Sequence, residues 1–159
     1  MTWRERLADE LPALGHRNWI VVADSAYPAQ AQSGIETVVA DEGLIEVFEE
    51  VLAQLAATRH VRPSVHIDSE LQFVGEQDAP GVSEFRRRLA AMLDRFTVES
   101  LPHEGIIEHL DEAGRTFRIL IIKTTARIPY TSMFIRLDCG YWSDDAEGRL
   151  RAALADRAS

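Results

Sequence analysis

The run Trp19-Ile20-Val21-Val22-Ala23 constrains this chain more than any other segment. Five apolar residues in succession, three of them β-branched, leave no polar face for solvent, so the run reads as a strand covered on both sides. Such strands belong to sheets with helices above and below, with parallel strands as neighbours. The flanks support this. Trp3, Leu7, Leu11 and Leu14 recur at helical spacing, with Thr2 placed to cap the start and Gly15 to stop the helix. Asp24 to Gly34 carries Ser, Pro, Gln and Gly without periodicity and reads as a loop leaving the carboxyl end of the strand, the end at which open α/β sheets bind ligands.

The same reading extends along the chain. Leu44, Val47, Phe48, Val51, Leu52 and Leu55 mark a long amphipathic helix, and Phe85, Leu89, Met92, Leu93 and Phe96 another, its start signalled by Asp78 and Pro80. Arg86, Arg87 and Arg88 are expected on its solvated face. Pro102 to Ala113 forms one more helix. Ser64–Ile67, Phe117–Lys123 and Ser132–Leu137 are strand candidates, with Pro129 breaking the segment between the last two. Asp144 to Arg157, charged and Ala-rich, reads as a surface helix. The expected architecture is an α/β three-layer sandwich, a mostly parallel central sheet between helices, formed by residues 1–142 with a helical extension at 143–159.

Charge narrows the partners. Lys plus Arg is 17 against 26 for Asp plus Glu, a net charge of −9, and so acidic a body repels nucleic-acid phosphates. No apolar run approaches the roughly 20 residues that span a bilayer. Cys139 is the single cysteine, which excludes an intrachain disulfide and fits a reducing, cytoplasmic setting. A neutral small molecule is the partner these properties favour. His16, His103, Asp24 and Glu104 include ligand-type side chains, but neither an H-x-x-x-H nor a CxxC spacing occurs, and no metal or cofactor is expected.

The polar residues flanking the buried strand belong to a longer pattern. Leu14-Gly15-His16 through Asp24-Ser25-Ala26-Tyr27-Pro28 resembles the Gly-His, apolar strand, Asp-Ala and Pro pattern that opens the D-ribose pyranase and L-fucose mutarotase family. Pro129-Tyr130-Thr131-Ser132-Met133-Phe134-Ile135, ending at Gly140, is similar to that family's Tyr-x-Asn, apolar strand and Gly. Between them, Ser69-Glu70-Leu71-Gln72 is similar to an Asn-Glu-Met-Gln stretch, and His103-Glu104 to a His-Glu pair, of the ribose enzymes. The resemblance implies His16 as the catalytic proton-transferring group and Asp24, Tyr130, Ser132 and His103 as sugar-binding residues. It also implies a homo-oligomer, commonly a decamer, with sites at subunit interfaces. Two departures stand out. Ser132 occupies the asparagine position, and Thr125-Ala126 replaces a Gly-Glu. The implied activity is interconversion of anomeric or ring forms of a free ribose- or fucose-like sugar. The alternative is a binding or regulatory protein that has kept the fold without turnover.

Overall fold

The computed structural model describes residues 1–158. Helix α1 (Trp3–Glu10) starts with a complete capping box, in which Thr2 Oγ1 accepts the Glu5 N–H and Glu5 reaches back to the Thr2 N–H. It ends earlier than its apolar spacing suggests. Pro12 cannot donate the next helical bond, and Leu11–Ala13 tightens into a 3₁₀ turn. Strand β1 (Trp19–Ala23) follows, buried at every residue.

Next come β2 (Ile35–Val39), α2 (Leu44–Ala56), β3 (Val61–Asp68), a 3₁₀ turn (Ser69–Phe73), α3 (Val82–Leu93) and β4 (Val98–Leu101). Helix α4 (His103–Gly114), β5 (Ile119–Lys123), β6 (Met133–Cys139) and α5 (Asp144–Ala158) complete the chain. The six strands form one sheet in the order β2-β5-β1-β6-β3-β4. β1 pairs in parallel with β5, β5 with β2, and β3 with β4, whereas β6 runs antiparallel between β1 and β3. The expected mostly parallel sheet between helical layers is what the chain forms.

The alternation in β1 explains its continuous hydrophobicity. Ile20 and Val22 enter a core with Leu7 of α1, Phe48 and Val51 of α2, and Val82 and Leu89 of α3. Trp19, Val21 and Ala23 enter the opposite core, closed by Ile106 and Leu110 of α4. The edge strands β2 and β4 lack that signature: Glu36 and Thr37 are half-buried, and Val98, Glu99 and Ser100 are exposed. Arg86 departs from the expected solvated row. It is half-buried, and its guanidinium donates to the carbonyls of Leu71 and Val74, fastening α3 to the 3₁₀ turn after β3. Arg87 and Arg88 remain exposed and pair with Glu84 and Glu46.

This topology sets up a site. The carboxyl ends of β1, β3, β4 and β5 lie at one end of the sheet, together with the start of the antiparallel β6. Residues far apart in the chain meet there.

Candidate functional site at the carboxyl end of the sheet

Asp24 is the first residue beyond β1, and Ser132 the last before β6. The antiparallel pairing of these strands brings them together. Ser132 Oγ donates to Asp24 Oδ1 at 2.6 Å and accepts the Asp24 backbone N–H at 3.0 Å. Ser132 is 1% exposed while Asp24 is half-buried, so the serine serves as a support for the aspartate that faces outward.

Asp68 ends β3, and His103 opens α4 immediately after β4, which pairs with β3 in parallel. His103 Nδ1 lies 3.0 Å from Asp68 Oδ1. Glu70 accepts the His103 backbone N–H at 3.0 and 3.1 Å, placing a carboxylate at the amino end of α4, where unpaired N–H groups favour negative charge. The imidazole meets Tyr130 edge to face at a centroid distance of 5.8 Å, and Phe134 at 6.3 Å.

Tyr130 is held at φ 62, a left-handed conformation that a non-glycine residue adopts at a cost and that recurs at ligand sites. Thr131 Oγ1 donates to the Ile128 carbonyl at 2.7 Å and braces the turn. The replaced pair Thr125-Ala126 has a structural role. The Thr125 N–H donates to the Glu42 carbonyl, and the Ala126 carbonyl accepts from Ser25, tying the loop after β5 to the end of β1.

Burial dominates the electrostatics. Asp68 is 1% exposed, and loss of hydration pushes its carboxyl up to about 6. The hydrogen bond and charge of His103 pull it down, while Glu70 and Asp24 push it further up. Burial likewise raises the Tyr27 phenol, with Asp111, Asp68 and Asp24 adding to the shift, so Tyr27 stays neutral. The Tyr27 hydroxyl and Asp68 Oδ2 are buried without a hydrogen-bond partner among the described residues.

The remaining residues singled out in the sequence lie differently. His16 precedes β1, at the other end of the sheet from Asp24, and is exposed. A five-residue strand separates the two, roughly 20 Å at about 3.3 Å per residue with the flanking positions included. His16 borders a cavity of about 580 Å³ with Arg62, Asp138, Tyr141 and Trp142. Glu104 is exposed. Within one chain the fold thus gathers Asp24, Ser132, His103 and Tyr130, and leaves His16 outside.

Residues 3–140 match the model of the RbsD / FucU transport protein family. The chain belongs to this family. No curated protein matches it. Among solved structures, RbsD of Bacillus subtilis complexed with D-ribose superposes with a TM-score of 0.58 at 22% identity, covering 84% of this chain and 91% of that one. The fucose mutarotase of Streptococcus pneumoniae in complex with L-fucose gives 0.56 at 18%, again covering 84% and 91%. FucU from Bifidobacterium longum gives 0.56 at 14%, covering 84% and 94%. These likenesses establish a common fold.

One residue of this RbsD/FucU chain's site escapes a reading of the sequence, Asp68, while Tyr27 enters that reading only as part of the opening motif and not as a site residue. For Asp68 a local signal existed. Ser64, His66 and Asp68 place a polar side chain at every second position of β3, and all three are buried, at 6%, 2% and 1% exposure. A polar row on the inner face of a strand marks something other than core packing.

Proposed function

We propose that this RbsD/FucU-family chain is a cofactor-independent monosaccharide mutarotase or pyranase acting on a ribose- or fucose-like sugar. The observation that carries the reading is the convergence of Asp24, His103 and Tyr130 at the carboxyl ends of the strands, in a chain whose solved structural relatives include complexes with D-ribose and L-fucose. The groups suit a sugar. Asp24 accepts hydroxyl hydrogens, His103 offers a ring nitrogen, and Tyr130 presents both an apolar ring for a C–H face and a phenol. Ser132 contributes by holding Asp24.

Anomer or ring-form exchange opens the hemiacetal. One group takes the proton of the anomeric hydroxyl, another protonates the ring oxygen, the C1–ring oxygen bond breaks to give the open aldehyde, and closure reverses the transfers. No electrons are exchanged. A histidine suits the task because its ordinary pKa, about 6.5, lets it take and return a proton near neutrality. His16 is the proposed general acid/base, and because it lies at the opposite end of its own sheet, it serves the Asp24 site of a neighbouring copy. A homo-oligomer follows from this reading, a decamer by family resemblance, in the cytoplasm that the single cysteine suits.

Exchange NMR on ribose, fucose, galactose and glucose tests the activity. At least one sugar should interconvert faster than in buffer, and His16→Ala should abolish the acceleration. Mixing the inactive His16→Ala and Asp24→Asn chains under subunit exchange should restore part of the activity, because some interfaces then pair an intact His16 with an intact Asp24. Failure to restore it in confirmed mixed oligomers would overturn the shared site.

Ser132 motivates a second reading, a sugar-binding protein without turnover. A serine hydroxyl engaged with Asp24 replaces a carboxamide that could donate and accept together. Binding of one sugar with exchange at the buffer rate for all would favour it.

A further inference from the structure

Asp68 is the least expected side chain in the molecule. It is 1% exposed, yet Oδ1 has one polar side-chain partner, His103 Nδ1 at 3.0 Å, and Oδ2 has none among the described residues. A buried carboxyl with half its hydrogen-bonding capacity empty costs stability, and asparagine or an apolar residue would fill the same place more cheaply. Such a cost, at the carboxyl end of a central sheet and against a half-exposed imidazole, marks function rather than packing.

We propose that Asp68 is a positioning residue: its Oδ1 holds His103 in the form with hydrogen on Nδ1, so that Nε2 presents its lone pair to the bound sugar. This role rests on the sugar-site reading for its consequence in catalysis, but the orientation itself is a property of the free protein.

The surroundings leave the ring little freedom. Glu70 fixes the backbone of His103, Tyr130 and Phe134 pack around the imidazole, and Asp68 determines which nitrogen carries the hydrogen. The groups whose charges act on Asp68 are His103 from α4, Glu70 from the 3₁₀ turn and Asp24 from the end of β1; Tyr27, which senses the same carboxylates, is neutral. At neutral pH the Asp68 carboxyl is ionised and accepts the Nδ1 hydrogen. When Nε2 takes a proton from a sugar hydroxyl, the resulting imidazolium lies directly against that carboxylate. Asp68 therefore supports the proton transfer at Nε2 without touching the sugar. His16 from a neighbouring copy and His103 then form a pair across the sugar, one for the hydroxyl proton and one for the ring oxygen.

The test is nitrogen-15 NMR of the histidines in the full-length protein, without sugar, across pH 5 to 8. Wild-type His103 should show the Nδ1–H tautomer at neutral pH. A dominant Nε2–H tautomer would overturn the proposal with no variant needed. In Asp68→Asn the tautomers should mix; an unchanged tautomer would also overturn it. With an exchanging sugar, Asp68→Asn should lower kcat at least about tenfold. KM should stay within about twofold. If no sugar exchanges in the wild type, the mutarotase reading fails, while the NMR result still decides the role of Asp68.

Discussion

The two ends of β1 differ sharply. At the carboxyl end, polar side chains from five parts of the fold are buried or half-buried and bonded to one another: Ser132 to Asp24, Asp68 to His103, Glu70 to the His103 backbone. At the amino end, His16 is exposed beside Tyr141 and Trp142, at 80% and 43% exposure, and is followed in space by α5, which buries none of its residues. Groups that must be aimed at a ligand are held by desolvated hydrogen bonds, which are strong because water does not compete. His16 has no hydrogen-bond partner among the described residues. The contrast teaches that one copy holds a bonded polar cluster at one end of β1 and a separate, exposed histidine at the other; under the proposed function, these are the binding and proton-transfer ends that association would join.

The most severe way to break this comparison is to remove one end. His16→Ala should cost about 10²–10⁴-fold in sugar exchange, the usual worth of positioned proton transfer, while leaving the fold of each chain intact by circular dichroism because the side chain is exposed within it. Loss of the folded spectrum would show that His16 is structural instead.

At the carboxyl end the cost should appear in stability. Asp68 holds its proton to about pH 6, against an ordinary value of 3.8, so between those values the folded chain binds a proton that the unfolded chain has released. Stability then falls as pH rises through that window and stays lowered above it. Asp68→Asn lacks this loss. It should match the wild type near pH 4 and exceed it above pH 7 by on the order of 3 kcal/mol in denaturant unfolding. A pH-independent difference between the two would remove the case that Asp68 pays in stability for function.

The amino end has its own structural demand. A Cβ on Gly140, just past β6, would fall 2.3 Å from the Arg59 carbonyl oxygen and 2.8 Å from the Val61 nitrogen. Gly140→Ala should therefore destabilise by about 1–3 kcal/mol as backbone is forced apart. Calorimetry would check it. The smallest effect is expected from α5. We propose that it is an extension separate from the domain at residues 1–142, and deleting residues 144–159 should change unfolding free energy by no more than about 0.5 kcal/mol. A larger loss would make the helix part of the core structure.

Much of the fold was legible locally. The buried run of β1, the apolar stripe of α2 and the cap at Thr2 each carry a physical signal within a few residues, and each forms as expected. Strands β2 and β4 were not legible. Ile35-Glu36-Thr37-Val38-Val39 and Val98-Glu99-Ser100-Leu101 lie at sheet edges, where burial is partial and apolar patterning correspondingly weak. Arg86 looked like a member of a solvated row because a sequence does not reveal which carbonyls a neighbouring turn leaves unpaired.

By itself the sequence determined a two-sided α/β sheet, an acidic surface, and the motif residues His16, Asp24, His103 and Tyr130, because these depend on residue type and short spacing. Tertiary structure alone decided which of them meet. Asp24 and Ser132 are 108 residues apart and Asp68 and His103 are 35 apart, and each pair depends on strand order and direction. Strand order is settled by the burial of all faces at once, a balance over the whole chain that no local stretch contains.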